Sequence, residues 1–102
     1  MIKVCKEPGD LSPIFHLKDK FDSTYVSCSR SEFFQFLVEN VKNDRVRIII
    51  DLGEDEKTAK GYVVCVNAVI PPLSNCIAMT YSFSGPGCDM DTIIRRIAKW
   101  GK

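Results

Sequence analysis

Between Phe33 and Val41 apolar side chains recur at the spacing of a helix, and from Arg45 to Ser84 the spacing changes to the alternation of strands. The helix is announced by Ser29-Arg30-Ser31-Glu32. With Ser29 as N-cap and Glu32 three residues on, each side chain can reach a backbone N–H that the first turn leaves unpaired, a contribution of ~1 kcal/mol for the serine alone. On a helical wheel Phe33, Phe34, Leu37, Val38 and Val41 share one broad sector, opposite Gln35, Glu39 and Lys42, so that sector faces a sheet. Phe36 falls outside it, either covered by the N-terminal segment or exposed to a partner.

Arg45 to Leu52 reads as a strand with Val46, Ile48, Ile50 and Leu52 on one face. Tyr62 to Ile70 is apolar on both faces apart from Asn67, the pattern of a central strand. Pro71-Pro72 cannot donate to a ladder and ends it. Cys76 to Ser84 then alternates, with Ile77, Met79, Tyr81 and Phe83 on one side and small residues on the other, which makes an antiparallel meander. Ser84-Gly85-Pro86-Gly87 breaks that strand, and Asp89 or Asp91 caps a last helix. Met90, Ile93, Ile94, Ile97, Ala98 and Trp100 gather on one side of this helix, with Arg95, Arg96 and Lys99 on the other. Upstream, Met1 to Cys5 suits a short edge strand and Glu7-Pro8-Gly9-Asp10 a turn. Ile14 to Leu17 and Thr24 to Cys28 have the composition of a hairpin. The expected fold is a single α+β domain over residues 1–102. It is a two-layer sandwich of a mainly antiparallel sheet, three-strand meander plus N-terminal hairpin, with two helices on one face.

Composition narrows the classes. A chain of 102 residues with 45% hydrophobic and 26% charged residues is long enough for one core and too apolar for disorder. Fourteen Lys and Arg against thirteen Asp and Glu leave a net charge of +1, so any charged binding surface is local. The N-terminus lacks the apolar core of a signal peptide, and no apolar run approaches the ~20 residues of a spanning helix. The expected setting is cytoplasmic, away from membranes. Five cysteines at irregular spacing read as reduced thiols rather than a disulfide framework.

Few residues suggest chemistry. Cys28 and Cys88 each precede a helix, where a thiol can be activated; packing as a hydrophobic staple, on Phe33 and Ile93, explains the same placement. His16 is the sole histidine and the only candidate base. A zinc site from Cys5, His16, Cys28 and Cys88 lacks any local pair of ligands, so neither a metal nor a cofactor is expected. Gly85-Pro86-Gly87 resembles a phosphate loop only in outline, since Asp89 and Asp91 stand where the anion would sit. Asp51, Glu54, Asp55 and Glu56 read as the solvated acids of a hairpin loop.

Two surfaces remain. Arg95, Arg96 and Lys99 make a cationic helix face, to which Arg45 and Arg47 add a pair on the back of the sheet, with Tyr62 as a candidate stacking ring. Ile49, Val63, Cys65 and Ala78 would form an apolar patch on a sheet face that no third layer covers. The leading expectation is therefore a small non-catalytic protein-binding or regulatory protein, of the profile of viral or phage accessory proteins. It would act as a homodimer or dock on a protein partner through Phe36, Ile49 and the neighbouring cations. A nucleic-acid-binding module using Arg45, Arg47, Arg95, Arg96 and Lys99 is the alternative, and a thiol-dependent enzyme using Cys28 or Cys88 the third.

Overall fold

In the computed structural model, which describes residues 1–17, 29–70 and 73–100, the Ser29 hydroxyl accepts the Glu32 N–H at 3.2 Å and donates to the Glu32 carboxylate at 3.1 Å. The capping box thus closes partly side chain to side chain. It opens helix α2 (Arg30–Asn40), preceded in the chain by strand β1 (Ile2–Val4), a 3-10 turn (Pro8–Leu11) and the single-turn helix α1 (Ser12–Phe15). Strands β2 (Val46–Leu52), β3 (Ala59–Ile70) and β4 (Leu73–Ser84) follow, and helix α3 (Met90–Trp100) closes the order. The sheet runs β1-β2-β3-β4 with every neighbour antiparallel, as the alternating patterns predict.

The α+β class and the meander are present, and three local expectations are corrected. First, Ile14 belongs to a helix rather than a strand: Pro13 stands within the first turn of α1, where a missing N–H costs nothing. The other half of that expected hairpin, Thr24 to Cys28, lies outside the described residues. Edge strand β1 pairs with β2 instead, Lys3 opposite Ile50.

Second, the helices do not share a face. Phe33 and Leu37 of α2, with Val41 at its C-cap, pack with Ile48, Ile50, Tyr62 and Val64, joined by Leu11 and Ile14. Ile93 and Ile97 of α3 pack with Ile49, Val63 and Cys65 on the opposite side. The layers are helix, sheet, helix. The apolar patch expected to be open is therefore closed, with Ile49 1% exposed and Val63 and Cys65 fully buried. Each helix also turns less of its apolar stripe inward than the wheel suggests, leaving Val38 and Ile94 at 45% and 46% exposure.

Third, β4 does not alternate throughout. Val64 pairs with Tyr81 but Cys65 with Met79, so Thr80 is an extra residue in β4. A one-residue bulge reverses the face of everything beyond it. Tyr81 and Phe83 accordingly lie on the α2 side while Ile77 lies on the α3 side. The Tyr81 ring meets Phe33 edge-on at 4.7 Å between centroids and stands 5.9 Å from Phe36. Phe36 is thus half-buried, packed against the core.

One polar group is sealed in this interior. Asp51 is 2% exposed. Its carboxylate accepts the Asp89 N–H at 2.7 Å and lies 3.2 Å from the Met1 amino group and 3.7 Å from Lys60 Nζ. Burial opposes its charge, yet the Asp89 N–H and the two cations outweigh burial and hold the carboxyl below its ordinary 3.8. The expected solvated acid is instead a tether between β2 and the start of α3. Gly61 makes room beside it: any side chain there would collide with the Cys88 sulfur and the Phe83 carbonyl.

Two outcomes follow from this packing. Ile93→Ala, which empties a fully buried site on the α3 side, lowers unfolding free energy by roughly 3 kcal/mol, whereas Ile94→Ala costs under about 0.5 kcal/mol; equal losses in urea melts would refute the placement of α3. Asp51→Asn costs about 2 kcal/mol at neutral pH. Because its folded pKa is depressed, Asp51 stabilises above 3.8 and that contribution disappears as pH falls below it. The variant's stability must therefore fall less steeply than the parent's in acid melts below pH ~4.

Candidate functional site

Strand β2 carries Arg47 and Ile49 on the side that α3 covers, and α3 ends over the first half of that strand. As a result Arg47, Ile49, Arg96, Lys99 and Trp100, with Val4 of the edge strand, line one open cavity of about 320 Å³. The Arg47 guanidinium lies 5.2 Å from the centre of the Trp100 ring, a cation–π stack that fixes both side chains. Among the described residues no carboxylate comes within ion-pair distance of Arg47, Arg96 or Lys99. Three cations thus line this cavity together with Val4 and the half-buried indole, above a buried Ile49.

A second cavity, about 370 Å³, adjoins the first and shares Val4 and Arg47 with it. Lys6 and Lys42 add positive charge to its wall, and Asp44 is its one acid. Lys42 also pairs with Glu7 at 3.1 Å, but both ends of that bridge are well exposed, and such a pair competes weakly with another anion.

The cations singled out from the sequence therefore separate. Arg47, Arg96 and Lys99 are brought together. Arg45 is exposed just before β2 and lines neither cavity, with its N–H bound to the Asn43 side chain. Arg95 is exposed on α3, and its charge acts at the other end of the helix, where it helps to lower the Asp89 pKa behind the larger effect of Thr92. Tyr62 is fully buried in the core and cannot stack on a ligand. Ile49 contributes only floor. Trp100 packs on the α3-side core, as its place in the apolar stripe of the helix predicts, and it also lines this cavity. The signal for it is positional: an aromatic in a last turn rich in cations lies where a helix leaves the sheet.

The thiols do not form a catalytic site. Cys28 lies outside the described residues. Cys88 is half-buried against the core cluster that contains Ile93, and burial raises its pKa despite a hydrogen bond with Ser84. Burial likewise pushes Cys5 up to about 12 and Cys65 up to about 11. His16 is exposed and borders a separate cavity with Lys3 and Asp10. Asp10 is already engaged there by Lys3 at 3.0 Å and by the N–H groups of Lys6 and Glu7. Among the described residues no three His, Cys, Asp or Glu side chains are placed to hold a metal. The start of α3 is no anion site either, because the Asp89 carboxylate takes the Thr92 N–H at 3.2 Å and the Thr92 hydroxyl at 2.7 Å. Gly87, at φ +79°, serves the turn before it.

No protein-family model, curated protein or solved structure matches the chain. Among the described residues no helix is long and apolar enough to cross a membrane.

The raised pKa of Cys88 has a direct readout. At pH 7.5 mass-mapped iodoacetamide labelling of Cys88 is slower than that of free glutathione and accelerates as pH rises; faster labelling than the free thiol would restore it as a nucleophile.

Proposed function

We propose that this domain binds nucleic acid through the groove between the end of α3 and the first half of β2. The observation that carries this reading is the convergence of Arg47, Arg96 and Lys99 around Trp100 without an opposing carboxylate among the described residues. Cations held close together repel, a cost that an incoming phosphate chain removes. The near-neutral chain makes this local excess informative, since no global field demands it. Of the two protein-docking anchors drawn from the sequence, the Ile49 face is covered by α3 and Phe36 is half-buried beside Tyr81.

A second reading, docking of another protein chain, is favoured by one feature. β4 is the outer strand of the sheet, and Leu73 to Ser84 contains no charged residue to discourage strand addition. A homodimer or protein partner would use that edge and not the sheet face.

Binding of a labelled 20-nucleotide oligomer, followed by anisotropy, distinguishes them. Three phosphate contacts give a log–log salt slope of about −2, and the Arg47→Ala, Arg96→Ala, Lys99→Ala triple variant loses at least about tenfold in affinity at 50 mM salt. Absent or salt-insensitive binding, with a doubled mass by light scattering, would transfer the function to the β4 edge.

A further inference from the structure

Phosphate alone does not account for the composition of the groove. An inorganic anion, or the backbone of a duplex, is satisfied by Arg47, Arg96 and Lys99. It has no use for the half-buried Val4 and Trp100 side chains that line the cavity with them. A half-buried indole among cations matches a nucleotide: the base packs on the part of the ring left open while its phosphates reach the cations. In a duplex the base faces are stacked on one another and closed to protein rings, whereas unpaired nucleotides present theirs. Continuity adds length. The neighbouring cavity, with Lys6 and Lys42, begins at the same Val4 and Arg47, so a chain leaving the first site meets positive charge again.

Resting on the nucleic-acid reading above, we propose that the ligand is an unpaired strand, with one base stacked against Trp100 and successive phosphates on Arg96 and Lys99, on Arg47, and on Lys6 and Lys42. Arg47 stands at the junction of the two cavities, where its stack on Trp100 holds the guanidinium ready. The shared chemistry is that of single-stranded DNA and RNA alike.

Trp100 is the only tryptophan of the chain, so its emission reports this one contact. The full chain is titrated at 50 mM salt with oligo(dT), oligo(U), a duplex of the same length and inorganic phosphate, reading both tryptophan emission and the anisotropy of labelled oligomers. Quenching of Trp100 by one or both single strands is expected, with the duplex at least about tenfold weaker and leaving emission unchanged. The relative affinity for oligo(dT) and oligo(U) identifies which strand is preferred. Trp100→Phe, which keeps an aromatic face, retains most of the anisotropy-measured affinity, while Trp100→Ala loses about tenfold. Binding with unaltered emission, a duplex equal to the single strands, or equal losses in the Phe and Ala variants would overturn the stacked strand yet leave phosphate binding intact. No binding of any polymer would remove the nucleic-acid reading itself.

Discussion

Everything in this fold depends on a sheet whose two central strands are buried on both faces. Ile48, Ile49 and Ile50 are consecutive and each at most 1% exposed, and Tyr62 to Cys65 are fully buried. Successive residues of a strand point to opposite sides, so such runs cannot be protected by a single layer of helix. The chain answers with α2 and the N-terminal turns on one side and α3 on the other. The alternation of β2 then acquires two meanings. Its even residues from Val46 build the larger core, while Arg47, Ile49 and Asp51 each meet α3, at its end, its middle and its start.

That geometry sorts charge along the molecule. α3 runs antiparallel to β2, since Asp89 at its start touches Asp51 near the end of the strand and Trp100 at its finish touches Arg47 near the beginning. At the first end Glu54, Asp55 and Glu56 of the following turn join Asp51 and Asp89, and the Met1 amino group and Lys60 pair with Asp51 there. Cations collect at the other. This is the arrangement the helix dipole favours, with carboxylates at the amino end and ammonium or guanidinium groups at the carboxyl end.

The elements that carry strong local rules were legible in the sequence. Ser29 and Glu32 marked the start of α2, Pro71-Pro72 the end of β3, and the alternation from Val46 the faces of β2. Apolar stripes state that a helix must be covered, and not by which side of a sheet, so the separation of α2 from α3 was out of reach of the wheel. The cue lay in the strands: uninterrupted apolar runs at Ile48–Ile50 and Tyr62–Val66 already asked for cover on two sides. The bulge at Thr80 left no trace in residue type. Asp51 misled because acids next to a turn are usually solvated, and only the fold brings the Asp89 N–H and Lys60 to it. For the site, the cations could be read one by one, while their grouping required knowing that α3 crosses β2.

The groove is shared between two elements that are far apart in the chain, and α3 is held to the sheet by a small apolar contact and the Asp51 tether. A helix packed on one side of a sheet can open locally without global unfolding. Such an opening takes the groove apart and uncovers Ile49, Val63 and Cys65 in the same event. A ligand bridging Arg47 to Arg96 and Lys99 binds only the closed form, and mass action therefore makes it a clasp on the helix. Occupancy of a surface groove and the accessibility of a thiol sealed beneath it become two readings of one equilibrium.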